Sequence, residues 1–262
     1  MSTRSNTPTP RRTQMVTTFV DIDRGRLLDM APGRSGEVVR TWIDKRPAGW
    51  SDQIQVAAID AFAGYAAAIR DRLPDSMLVI DHFHAIRLAS EAVNDVRRRV
   101  QQDTTGHRGR KGDPLYGIRR LLLMTWANLN ERGRDKLRAG LAAGDRDGEI
   151  AAVWLARELL SEVYAANGLA HARRRLIVFF QHAAEANVAE LTRLAKTVDR
   201  WRDEILAFHT TSGASNGPTE AVNLLIEKIR RIGHGYRNYD NYRRRLLLGC
   251  GIQWTTDPTH RI

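Results

Sequence analysis

Three acids stand out along this chain because each falls where a regular element would hold it still. Asp60 ends the apolar run 54–59 (IQVAAI), and Asp81 ends the run 77–80 (MLVI). An aspartate at the carboxyl end of a buried strand lies on the edge where ligands gather in open α/β sheets, and its hard oxygens suit Mg²⁺. Both residues also precede helical stretches, and taken singly each reads as a helix cap. Glu220 follows Ser215, Asn216, Gly217 and Pro218, a helix-opening sequence, so it falls in a first turn. Val222, Leu225, Ile226 and Ile229 then make an apolar stripe. Glu220, Asn223, Glu227 and Arg230 or Arg231 are left on a different face. A surface glutamate favoured by the helix dipole satisfies that pattern. So does a metal-holding acid beside side chains that hold phosphates.

Two basic runs flank these acids. Residues 93–120 carry eight Lys or Arg against three acids, and residues 215–245 carry seven against three. The segment GHRGRKGD (106–113) is glycine-rich and basic, as suits a loop that wraps a phosphate backbone. A charge run is usually a solvated face, but two of them beside candidate acids point toward nucleic acid. Clustered carboxylates repel DNA phosphates. Mg²⁺ would remove that repulsion at the scissile phosphate while arginines hold its neighbours. His82 and His84, in DHFH, stand two apart, a helical spacing that points their rings away from each other. They read as packed or hydrogen-bonded histidines rather than as a metal pair.

The whole composition agrees. The 262 residues include 41 Lys or Arg and 30 Asp or Glu, a net +11 that favours a polyanionic partner. A hydrophobic share of 42 % and a charged share of 27 % are ordinary for a folded soluble chain. No apolar run approaches the length that crosses a bilayer, so no membrane role is expected. The single cysteine, Cys250, excludes a disulfide framework and a cysteine zinc site within the chain; it reads as a small buried apolar residue. The opening MSTRSNTPTPRRTQ (1–14) lacks the apolar stretch of a secretory signal and reads as a disordered basic tail. A cytoplasmic location is the expectation.

The elements that must position the acids are legible in the patterning. Residues 15–22 read as a strand, 23–25 as a turn, 27–30 as a returning strand and 37–45 as a helix. The runs 54–59 and 77–80, joined by an Ala-rich helix over 61–73, form a βαβ unit whose strands should pair in parallel. From Phe83 to Phe208 helical periodicity dominates, over 83–102, 114–128, 131–143, 149–165, 168–185 and 187–208. Closing helices are expected over 218–232 and 239–248.

At this point five blocks resemble a family: VDIDRGRLLDMAPGRS, VAAIDAFAGYAAAI, LVIDHFHAIRLASEAVNDVRRRVQ, GHRGRKGDPLYGIRRLLL and SNGPTEAVNLLIEKIRRIGHGYRNYDNYRRRLLL. In order and spacing they are similar to successive blocks of the DDE transposases of the ISL-three bacterial insertion-sequence family, over roughly residues 13–254. The resemblance implies an α/β fold: a ribonuclease-H-like mixed-sheet core interrupted by a large all-helical insertion. It implies a core over 15–84, the insertion over 85–212 and closing helices over 213–262.

It also implies Mg²⁺- or Mn²⁺-dependent cleavage and strand transfer of double-stranded DNA at transposon ends. Asp60 matches the second Asp of the family's acid triad and Glu220 its Glu; both would be catalytic and metal-holding. Asp81 matches a position beside the active site and ranks below them. Arg108, Arg110, Lys111, Arg119, Arg120, Asn223, Lys228, Arg230, Arg231 and Arg237 are the candidate DNA contacts. The family's first Asp, in a block resembling GIDE on a strand before the hairpin, has no counterpart here, and neither Asp21 nor Asp23 fills its role. The expectation is an N-terminally truncated transposase without its first strand, with the metal held weakly. The alternative is a non-catalytic DNA-binding or dimerising remnant, and a homodimer stands beside double-stranded DNA as a candidate partner. A structure-specific nuclease on the same core is a third reading.

Overall fold

The computed structural model describes residues 15–252 apart from Gly235 and Arg237; the expected tail over 1–14 and the candidate contact Arg237 lie outside them. In chain order the elements are β1 (Val16–Asp21), β2 (Arg26–Pro32), α1 (Gly36–Asp44), β3 (Val56–Ile59), α2 (Ala63–Arg72), β4 (Met77–Ile80) and α3 (His82–Thr105). There follow α4 (Pro114–Ile118), α5 (Glu131–Gly144), α6 (Glu149–Tyr164), α7 (Leu169–Glu185), α8 (Ala189–Arg200), α9 (Arg202–Ala207), α10 (Gly217–Ile232) and α11 (Tyr239–Leu246). The chain is a mixed α/β protein in which helix predominates.

The described strands form two two-stranded sheets where one mixed sheet is expected: β1 with β2 antiparallel, and β3 with β4 parallel. Two helical expectations are also corrected. The stretch 114–128 is α4 followed by two 3₁₀ turns, Leu121–Leu123 and Trp126–Asn128. The stretch 187–208 breaks at the buried Trp201, which leaves the helical region (φ −106°, ψ 18°) between α8 and α9. The closing helix ends at Leu246 and continues as a π turn over Leu247–Gly251.

Two compact units divide these elements. The first takes residues 15–55, Phe62–Ser76 and 216–252. Its core joins Leu27 and Met30 of β2 to Val222 and Ile226 of α10, Leu246 of α11 and Cys250. Cys250 is thus the buried apolar residue expected, and burial pushes its thiol pKa up. Of the predicted stripe on α10, Val222 and Ile226 are buried and Ile229 packs against them, but Leu225 is exposed. It sits at the margin of the stripe, where packing favours the i, i+4, i+7 positions.

A buried acid, Asp29, ties the hairpin to α1 and α11. It accepts hydrogen bonds from the Trp42 indole N–H (2.9 Å) and from Arg243 (2.6 Å). Burial pushes its carboxyl pKa up, but Arg243, Trp42 and the Met30 N–H outweigh this and hold it below the usual range. In the same unit α1 packs on α2 at a close backbone approach: a Cβ on Gly36 would stand 2.3 Å from the Gly64 carbonyl oxygen, so only glycine fits there.

The second unit holds Val56–Ala61 and Met77–Ser215. Here α3 packs along α6, which packs on α7; α8 crosses both α3 and α7, and α9 packs on β4. Ala89, Val93, Val96 and Val100 of α3 are buried, as are Val153, Ala156 and Leu160 of α6. These apolar residues, spaced by three and four, form the facing stripes along which the two helices pack.

Candidate active site

The parallel pair β3–β4 sets the register of the two aspartates in the second unit. Ile59 and Ile80 are ladder partners, and the Asp81 N–H donates to the Ile59 carbonyl at 3.2 Å. Asp60 and Asp81 therefore emerge side by side at the carboxyl edge of the pair. Their environments differ. Asp81 is buried, 1 % exposed, and caps α3: its Oδ2 accepts the His84 N–H at 3.1 Å. The cap reading is right for Asp81. It fails for Asp60, because α2 starts only at Ala63 with Phe62 at its cap position. The Asp60 side chain is instead 42 % exposed.

His84, expected as a packed or hydrogen-bonded histidine, is hydrogen-bonded and also stands beside Asp60. The Asp81 cap fixes its backbone, and its Nδ1 lies 3.7 Å from Asp60 Oδ1. That same Nδ1 is 2.8 Å from Arg87 Nη2. A guanidinium only donates, so Nδ1 must be the acceptor and the neutral ring carries its proton on Nε2. Burial lowers the His84 pKa; Asp60 pulls it up and Arg87 pushes it down, with a net result below the usual value. The ring beside Asp60 is thus an uncharged imidazole that does not neutralise the carboxylate. The i, i+3 spacing from a capping aspartate was the available signal, because a cap brings its N3 residue to the strand edge.

His82 turns the other way, as its spacing from His84 predicts. Its ring packs 3.9 Å from Phe83, 5.9 Å from Tyr164 and 5.7 Å from Phe208, centroid to centroid. Burial first, and then the Asp81 charge, push the Tyr164 phenol pKa far above its ordinary value, so Tyr164 stays protonated.

Glu220 belongs to the first unit. It is exposed in the first turn of α10, turned away from the buried Val222 and Ile226. Nearby on the polar face, Asn223 Oδ1 accepts from Thr18 Oγ1 at 3.4 Å. Lys228 and Arg231 are exposed, and the exposed Arg230 is paired with Glu227 at 2.9 Å.

The other basic run, in the second unit, is mixed in character. Arg108, Arg110, Lys111 and Arg120 are exposed. Arg119 is half-buried, stacks 3.9 Å over the Tyr116 ring and donates to the Tyr116 carbonyl. Arg99 is structural: it forks onto Glu190 (2.8 and 3.1 Å) and Glu149 (3.0 and 3.1 Å). Asp21 and Asp23 lie at the hairpin turn, where Asp21 Oδ1 accepts from the Asp23 and Arg24 N–H groups.

Mg²⁺ demands a near-octahedral set of oxygens. The carboxyl edge of β3 and β4 brings together one accessible carboxylate, Asp60, and one buried carboxylate, Asp81, engaged by a backbone N–H. These do not complete a metal site. Among the described residues no group of three or more His, Cys, Asp or Glu is placed to hold a metal ion. Among them, too, no helix is long and apolar enough to cross a membrane.

Comparison with known proteins gives one consistent result. The profile of the DDE family of ISL3 type, described as "Transposase", matches residues 7–246. The transposase for insertion sequence element IS1557 of Mycobacterium tuberculosis is 28 % identical over 248 residues, covering 87 % of this chain and 55 % of that protein. The transposase for insertion sequence element IS1001 of Bordetella parapertussis is 26 % identical over 231 residues, covering 86 % and 55 %. The chain thus spans about half the length of the curated relatives it matches. No solved structure matches significantly.

Proposed function

The chain belongs to the ISL3-type DDE transposase family, and from that premise we infer that it binds transposon-end DNA and takes part in its cleavage and strand transfer. Asp60 and Glu220 are the acids of this reaction, and Mg²⁺ or Mn²⁺ its cofactor. Asp81 acts one step back: it caps α3 and so sets His84 beside Asp60. The reading is carried by the placement of Asp60, an accessible carboxylate at the end of a parallel strand, in a chain whose residues 7–246 match the transposase family. The exposed Arg108, Arg110, Lys111, Arg120, Lys228 and Arg231 are suited to flanking phosphates.

The test is nicking of supercoiled plasmid carrying the cognate ends, with Mg²⁺ or Mn²⁺. Asp60→Asn combined with Glu220→Gln is expected to abolish nicking while duplex binding persists. Nicking unchanged in the double variant removes both acids from the reaction. A second reading, DNA binding without cleavage, is favoured by the incomplete set of donors around Asp60. It predicts salt-sensitive duplex binding with no nicking in either metal.

A further inference from the structure

Arg97 of α3 is an enclosed cation that pairs with no acid among the described residues. It is 4 % exposed. Its Nη1 donates to Gln101 Oε1, while its Nε has no hydrogen-bond partner among the described residues. Gln101, 1 % exposed, likewise leaves its Nε2 amide group unpartnered. Burial lowers the Arg97 pKa, and the charges of Arg98 and Arg119 lower it further. An enclosed charge with two idle donors beside it costs stability unless an acceptor arrives.

The surroundings point to the acceptor's nature. The backbone of the loop 106–113 covers Gln101 at Gly109, where a Cβ would stand 2.7 Å from Gln101 Oε1 and 3.0 Å from the Tyr116 ring. Gly109 holds a φ of +111°, a conformation that side chains resist. Within the loop the Gly109 N–H donates to His107 Nδ1, and the Arg110 N–H to Asp113 Oδ2. Its hydrogen bonds to α3 lie at its first residues, from the Gly106 N–H to the Gln102 carbonyl and from the Thr105 hydroxyl to the His107 carbonyl, so the part over Gln101 is held by its own bonds. It carries Arg108, Arg110 and Lys111, all exposed, and Arg119 lies over the Tyr116 ring beside it. The charges that act on the enclosed guanidinium are those of Arg98 and Arg119, both positive, and the loop's one carboxylate, Asp113, is engaged by the Arg110 N–H and His107; an anion with several acceptor oxygens is the ligand that suits them.

We propose that Arg97 and Gln101 form the floor of a binding site for one DNA backbone phosphate, reached when the loop 106–113 lifts, with Arg108, Arg110, Lys111 and Arg119 as its rim. The site rests on the DNA-binding reading above for its ligand, but not for its chemistry. An anion seated there neutralises the enclosed guanidinium and gives both idle donors an acceptor.

The experiment pairs thermal unfolding with duplex binding across a salt series, in the full chain. Inorganic phosphate is expected to raise the Tm of the wild type. Arg97→Met is expected to raise the Tm of the ligand-free chain, since removing an uncompensated enclosed charge outweighs the one hydrogen bond that Gln101 Oε1 loses. It should also abolish the phosphate-induced rise, weaken duplex binding by about tenfold and reduce the salt slope by about 0.9. Gln101→Leu keeps the charge and removes the second donor; it too should lose the phosphate response, which covers the case in which Arg97→Met does not fold.

If Arg97→Met lowers the free Tm and leaves duplex affinity and salt slope unchanged, an enclosed water satisfies the donors and the proposal falls. A wild type whose Tm ignores phosphate overturns it equally. If phosphate acts through Arg97 but duplex does not bind at all, the DNA reading fails. The site then stands for a free phosphate ester.

Discussion

Arg97 and Arg99 stand two residues apart on α3, and their surroundings are opposite. Arg99 leans toward α6 and α8, where Glu149 and Glu190 accept from its guanidinium on both sides. Those contacts raise its pKa further, against burial. Arg97 faces the loop 106–113 and meets a neutral amide, with Arg98 and Arg119 as the charges acting on it. One side of the helix is electrostatically closed by the fold; the other is left open. An enclosed cation that the fold does not neutralise is a stability cost that only a ligand recovers. The contrast therefore separates arginines that build the chain from those that serve a partner, a distinction that net charge does not make.

The largest effect expected on that contrast is at Arg99. Arg99→Met strands the buried Glu190 without its cation, which costs 3–5 kcal/mol for a fully enclosed pair; discounted for the 37 % exposure of Arg99, about 2 kcal/mol is expected. For a chain of this size that is a fall of roughly 4–8 °C in Tm, opposite in sign to Arg97→Met. Acid titration sharpens the difference. Arg99 holds the Glu190 carboxyl pKa below its usual value, against burial. A depressed carboxylate contributes stability above its unfolded pKa of about 4.3 and loses it as pH falls through the folded value. The acid limb of stability should flatten in Arg99→Met and stay as in the wild type in Arg97→Met. Equal acid limbs in all three proteins would dissolve the contrast.

How much of this was visible in the residues can be judged element by element. Strands β1 to β4 were legible from β-branched and apolar runs, and most helices from their periodicity. The edge position of Asp60 and Asp81 followed from two short apolar runs ending in the same residue type. The 3₁₀ turns after α4 were not legible. Leu121 to Leu123 and Trp126 offer apolar residues that suit a period of 3.0 as well as 3.6. Nor was the break at Trp201, which has no Gly or Pro signal and arises where a large ring is buried between α8 and α9. Pairing was the least legible. Arg97, Arg99 and Arg243 belong to basic runs that look alike in sequence. Yet Arg243 closes on Asp29, Arg99 on two glutamates, and Arg97 on no acid among the described residues. Which acid meets which base depends on contacts between segments far apart in the chain, and local patterning carries no record of that.

A middle-sized effect tests the cover over Arg97. Gly109→Ala places a methyl against Gln101 at a backbone angle that side chains resist, at a cost of about 1 kcal/mol. Because the methyl pushes the loop away from the two donors, duplex binding should hold or tighten while Tm falls. Loss of both together would mean that the loop is part of the floor rather than its cover.

The smallest effect concerns an arginine on the surface of α10. Arg230 is exposed and paired with Glu227 across one helical turn; such pairs contribute about 0.3–0.5 kcal/mol. Arg230→Ala should therefore leave Tm within about 1–2 °C of the wild type. As a phosphate contact it should still reduce the salt slope of duplex binding by about 0.9, the same reduction expected of Arg97→Met. The slope alone does not distinguish an exposed contact from an enclosed one. The ligand-free Tm does, because only an enclosed, uncompensated charge makes the chain more stable when it is removed. Two variants with one slope and two different free stabilities would fix the character of each arginine; identical behaviour in both measurements would place Arg97 among the ordinary surface cations.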